Sequence, residues 1–126
     1  MAAPRQRSVT LVACDSTRGV VGFVDGGEER TGRLGHDGEL YAIYLLQAAQ
    51  RQGAGTLLAG HFAREMQLKG FTSMVVWVLD LNPLKKFYEA LGGRVISRET
   101  IERGGEQYFE VAFGWDELNT LTCFGT

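Results

Sequence analysis

The chain has 126 residues, a formal net charge of -2 and 44% hydrophobic residues. These totals fit one soluble globular domain, residues 1–126, long enough to bury roughly two thirds of its unfolded surface. The slightly acidic balance excludes a general attraction to nucleic acid or anionic lipid, so neither is expected as a partner. Two cysteines, Cys14 and Cys123, make neither a disulfide framework nor a metal motif. They suit a reduced, cytoplasmic protein without a metal.

Basic residues open the chain, but the apolar run Val9–Cys14 alternates with polar residues. It is too short for a signal-peptide core or a membrane span. It reads as a strand, with Gly19–Asp25 as a second strand and Asp15–Arg18 as their hairpin connection. Gly26–Gly38, GGEERTGRLGHDG, is polar and glycine-rich and reads as a loop that leaves His36 in solvent and Glu28, Glu29 and Arg30 in a solvated turn. Glu39–Leu46, ELYAIYLL, is dense in aromatic and branched residues and reads as a third strand.

The period then changes. Leu58, Phe62 and Met66 recur every fourth residue, which predicts a helix over Gly55–Lys69 that ends at Gly70. Ser73–Leu79, SMVVWVL, reads as a buried central strand that includes Trp77. Asn82 can cap a second helix with Pro83 at its first position; Leu84, Phe87, Tyr88 and Leu91 form its apolar stripe before Gly92-Gly93. Arg94–Glu102 and Glu106–Phe113 flank Gly104-Gly105, a two-residue hairpin signal. The tail from Trp115 carries no clear period. The order β-β-β-α-β-α-β-β indicates an α+β fold, a mixed and mainly antiparallel sheet with helices packed on it.

Chemistry concentrates at Gln50-Arg51-Gln52-Gly53-Ala54-Gly55-Thr56, between a strand and a helix. Glycines there let the backbone turn sharply and approach a ligand. The helix start adds open N–H groups and the positive end of its dipole, a cradle for phosphate or pyrophosphate. No lysine follows Gly55, as a Walker loop requires, and Leu58 stands where a dinucleotide fingerprint needs its third glycine. On physical grounds a tight strand-to-helix turn explains the same glycines.

Gln50-x-x-Gly53-x-Gly55 resembles the pyrophosphate motif of the GNAT N-acetyltransferase superfamily, Arg/Gln-x-x-Gly-x-Gly/Ala. Ile43–Gln47 resembles the strand before that loop, with Gln47 at a position often occupied by proline. Asn82–Gly92, NPLKKFYEALG, resembles the family's second signature, with Lys85 where a small residue is common. The resemblance spans roughly Val9 to Phe113. Glu39–Gly92 then becomes a coenzyme A site, and the expected activity is transfer of an acetyl group from acetyl-CoA to a primary amine, small or on a protein.

The same resemblance implies that the central strands splay apart at a bulge and admit the pantetheine arm. Leu45, Leu46 and Gln47 would lie along the arm. Gln50, Arg51, Gln52, Gly53, Ala54, Gly55 and Thr56 would hold the pyrophosphate. Asn82 would contact the arm, and Tyr88 would protonate the departing thiolate as general acid. Glu39 matches the place of a glutamate base in several members; Asp37 is a weaker candidate. No nucleophilic side chain is required, since the amine attacks the thioester directly. Relatives have a strand and two helices ahead of the segment that starts at Val9, so the chain reads as a compact member. An open acceptor groove, a homodimer that supplies the missing wall, or a coenzyme A-binding module without turnover are the three outcomes left by the sequence.

Overall fold

The computed structural model describes residues 7–50 and 53–125. Strand β1, Ser8–Asp15, pairs with β2, Gly19–Glu28, through a tight connection. Asp15 Oδ1 holds that turn by accepting bonds from the Thr17 amide at 2.7 Å and the Thr17 hydroxyl at 2.6 Å. Strand β3 spans Gly38–Leu45 and helix α1 spans Ala54–Leu68, with a 3₁₀ turn at Gln47–Ala49 between them. Strand β4, Met74–Leu79, leads to helix α2, Leu84–Ala90. Strands β5, Arg94–Arg103, and β6, Glu106–Trp115, form the predicted hairpin, and both turn glycines, Gly104 and Gly105, have positive φ.

The six strands make one sheet in the order β1-β2-β3-β4-β6-β5. Only β3 and β4 run parallel; the other pairs are antiparallel. The mixed α+β reading is thus correct in type and in element order. Helix α1 lays Leu58, Ala59, Phe62, Ala63 and Met66 on Val24, Leu40, Met74, Val76, Val111 and Phe113. Each large apolar side chain fully buried here is worth roughly 1.5–3 kcal/mol.

Three expectations need correction. Strand β2 does not stop at Asp25 but continues through Gly26 and Gly27 to Glu28. A side chain on Gly26 would collide with the Phe62 ring and the Glu39 carbonyl, so this glycine serves close helix–sheet packing rather than a loop. His36 is not in solvent: its side chain is 7% exposed, with Nδ1 2.9 Å from the Leu34 carbonyl oxygen and Nε2 3.0 Å from Asp116 Oδ1. The loop that carries it is strapped to the sheet, because Arg30 pairs with Glu39 and Arg33 with Glu99.

The tail also has structure. A short helix α3, Asn119–Thr122, buries Leu118 and Leu121 and packs against α1. Gly60 and Gly125 meet backbone to backbone at this contact, where a side chain on either would clash. A four-residue helix carries too few turns to show a period.

Candidate active site

The site begins where the sheet comes apart. Strands β3 and β4 pair only over Gly38–Met74, Glu39–Val75 and Leu40–Val76. Beyond that point β3 keeps β2, and β4 keeps β6, but the two no longer bond to each other. The parting coincides with a register shift between β2 and β3: Asp25 opposes Ala42 whereas Gly26 opposes Leu40, which leaves Tyr41 as an extra residue. A bulge of this kind bends its strand and frees backbone groups.

The direction of those groups follows from the ladder. The Leu46 amide bonds to the Val21 carbonyl at 2.7 Å. Antiparallel strands alternate, so Tyr44 and Ala42 face β2 with Leu46, while the backbone groups of Leu45 and Ile43 turn toward the gap. A cavity of about 560 Å³ opens there. It is lined by Ile43, Tyr44 and Leu45 from β3, Gly53, Gly55 and Thr56 at the start of α1, and Asn82, Leu84 and Phe87 around the start of α2, with Gln50 and Pro83 at its rim.

Helix α1 presents its N-terminus to this cavity. Gly53 has φ 77°, and among the described residues no side chain caps the helix. The Leu57 amide reaches the Gly53 carbonyl at 3.0 Å. The amides of Ala54, Gly55 and Thr56 precede it and have no acceptor in their own helix. At Gly55 an added Cβ would stand 3.4 Å from Phe87 Cε1, so any larger side chain would enter the cavity. Asn82 Oδ1 accepts the Leu84 amide at 2.8 Å, which makes it a cap as predicted and leaves its NH₂ group for a ligand.

Among the residues expected to hold a cofactor, Leu45, Gln50, Gly53, Gly55, Thr56 and Asn82 meet in this cavity. Leu46, Gln47, Ala54 and Tyr88 do not line it; the Leu46 amide is spent on β2, and Ala54 faces a separate groove beside β1. Arg51 and Gln52 lie outside the described residues. Phe87 and Leu84, read from sequence only as helix stripe, complete the wall.

Tyr88 is 3% exposed, its ring set among Phe87, Phe113 and Trp115 at centroid distances of 5.5, 6.0 and 6.3 Å. Burial pushes its pKa up to about 12. No hydrogen bond reaches its hydroxyl among the described residues, yet no buried side-chain oxygen there lacks a partner. The small exposed part of Tyr88 therefore includes the hydroxyl: an apolar-bound ring with an open polar tip.

Glu39 is 2% exposed and sits where β3 still pairs with β4. Arg30 binds it with the backbone N–H at 3.0 Å, Nε at 3.3 Å and Nη2 at 2.8 Å. Leu45 lies six residue steps further on, roughly 20 Å along an extended strand. Asp37 is likewise engaged, accepting four bonded groups from Thr72 and Ser73.

Comparison with known proteins agrees with this geometry. Residues 20–102 match the model of the family described as FR47-like protein. The chain is 43% identical over 111 residues to the uncharacterized N-acetyltransferase YuaI of Bacillus subtilis (strain 168), covering 88% of this chain and 64% of that protein. It superposes on a GNAT-family structure from Desulfovibrio desulfuricans with a TM-score of 0.73 at 17% identity, covering 88% of this chain and 69% of the other. The yncA protein of Salmonella typhimurium, solved with its cofactor acetyl-CoA, gives a TM-score of 0.68 at 21% identity, covering 86% and 64% of the two chains.

The fold is that of the GNAT superfamily. Within it, the chain belongs to the FR47-like family. It spans 64% of the length of its Bacillus relative.

Proposed function

We propose that the protein is an N-acetyltransferase that moves the acetyl group of acetyl-CoA to a primary amine. The observation that carries this reading is the coincidence, at one cavity, of a strand gap with unpaired backbone groups and an uncapped helix N-terminus. An extended arm with amide groups fits the first, and a pyrophosphate fits the second. Leu45 and Ile43 would pair with the arm, the amides of Ala54 to Thr56 would hold the pyrophosphate, and Asn82 would donate to the arm from its side-chain amide.

Tyr88 serves best as a hydrogen-bond donor to the departing sulfur. Its high pKa keeps the proton in place at every physiological pH, though it also makes the phenol a weak acid toward a thiolate. The donated bond then stabilises charge that appears only in the transition state. Glu39 remains the carboxylate that a resemblance to relatives nominates as base, through water; its grip on Arg30 supports a scaffold role instead. On this reading an amine would approach past the exposed Phe23–Tyr44 pair, whose ring centroids lie 6.1 Å apart.

A second reading is a coenzyme A-binding module with little turnover. It is favoured by the cavity lining, which among the described residues contains no carboxylate or histidine to take the proton of the amine. Two features support a cytoplasmic homodimer: two exposed cysteines, and an edge strand, β1, without charge from Ser8 to Cys14. No helix among the described residues is long and apolar enough to cross a membrane.

The deciding experiment is calorimetric titration with acetyl-CoA, then an amine panel assayed beside Tyr88→Phe. Micromolar binding with turnover establishes the transferase; binding without turnover selects the module; no binding at millimolar acetyl-CoA removes both.

A further inference from the structure

We propose that Gln50 is a positioning residue, a clamp that ties the loop after β3 back to the strand and presets the amide cradle of α1. The inference rests on reading the cavity as a coenzyme A site. The Gln50 side-chain Nε2 donates to the Leu45 carbonyl at 2.9 Å. That carbonyl belongs to the set that faces the gap, where no strand supplies a donor. Between the two residues the chain makes a tight turn: the Ala49 amide bonds to the Leu46 carbonyl at 2.9 Å and the Gln50 amide to the Gln47 carbonyl at 3.1 Å. Ala49 is buried beneath it.

Three residues past this closed turn the chain reaches Gly53 and its left-handed backbone, from which α1 departs. The clamp therefore fixes the origin of the helix relative to the end of β3, the two walls between which an arm and its pyrophosphate must fit. Preorganisation of this kind lowers the ordering cost of binding. The chemistry required at position 50 is a side-chain N–H donor, because a carbonyl can only accept. Glutamine meets it, arginine also meets it, and a glutamate carboxylate opposes it. The clamp also occupies the Leu45 acceptor, so the arm finds its first open backbone groups on that edge at the Leu45 amide and at Ile43.

The test compares Gln50→Ala, Gln50→Glu and Gln50→Arg with the unaltered protein. Amide hydrogen exchange at Ala49 and Gln50 in the ligand-free protein reads the clamp itself; calorimetry with coenzyme A reads its consequence. Exchange at Ala49 should rise, and coenzyme A affinity fall, by about three- to tenfold in the alanine and glutamate variants. Arginine should restore both to within about twofold. Melting temperatures of all ligand-free variants should stay within about 3 °C, as for other surface substitutions. Unchanged exchange in Gln50→Ala, or failure of arginine to rescue, overturns the clamp. Tighter coenzyme A binding by Gln50→Ala also overturns it, since Gln50 would then be a competitor for Leu45. If exchange responds as stated but no variant binds coenzyme A, the cofactor reading fails and the clamp stands.

Discussion

Arg30 grips Glu39 with its backbone amide and with Nε and Nη2, one edge of its guanidinium, and the same guanidinium lies 4.3 Å from the centre of the Tyr41 ring. The buried carboxylate thus fastens the loop after β2 to the point where β3 leaves β4. Glu39→Gln keeps an acceptor but loses the charge. It should lower unfolding stability by about 1–2 kcal/mol in urea titrations and leave coenzyme A affinity unchanged. A loss of turnover of about 100-fold or more beyond that would restore Glu39 as the base.

Tyr88→Phe removes a hydroxyl that no described residue bonds. Stability near pH 7 should be unchanged, and transfer should slow by about 100-fold, with coenzyme A affinity kept. The substitution also has an alkaline signature. The folded pKa of about 12 lies above the ordinary 10.0, so the fold favours the neutral phenol. That contribution is complete below pH 10 and is lost as pH rises from there through about 12. Denaturation curves of the two proteins should therefore diverge only in that range, with Tyr88→Phe the less alkali-sensitive.

The two loop glycines should fail differently. At Gly53 nothing stands within 4 Å of an added Cβ, but φ is 77°, so Gly53→Ala costs about 1–2 kcal/mol of stability by backbone conformation alone. Gly55 is an ordinary helical residue that faces Phe87 across the cavity. Gly55→Leu should leave the melting temperature nearly unchanged and abolish coenzyme A binding by filling the space. Parallel melting and calorimetry on the two variants check both statements.

Asp37 anchors the start of β4. Burial raises its pKa, but the bonds it accepts from the Ser73 and Thr72 amides and hydroxyls together outweigh that and hold it below 3.8. A folded pKa below the unfolded one contributes stability that is present above about pH 4 and fades as pH falls through the folded value. Asp37→Asn should be destabilised at pH 7. The gap from the unaltered protein should narrow below about pH 4, as urea midpoints measured across that range would show.

Elements with strong local signals were legible from the chain alone. The four-residue period of Leu58, Phe62 and Met66 set α1 to within a residue at each end. The Gly104-Gly105 pair marked the hairpin because few other residues accept its backbone angles. Much of the cavity was legible for a similar reason: glycines before a helix, and an asparagine able to cap the next one, are local devices. Gly26 and Gly27 misled because their composition matches a loop, whereas Gly26 makes room for a helix packed across the strand and Gly27 for the backbone of Arg7 and Ser8 beside it.

The sequence by itself determined which segments alternate, which turn, and where a helix would offer open amides, since each depends on neighbours a few residues away. Only the tertiary structure decided that β3 and β4 part after Leu40 and Val76, that Glu39 is buried under Arg30, and that His36 meets Asp116. It also decided that Gln50 turns its side-chain amide to the Leu45 carbonyl. These arrangements depend on strand pairing, on burial and on competition for one carbonyl among possible donors. None of those quantities exists until distant parts of the chain are brought together.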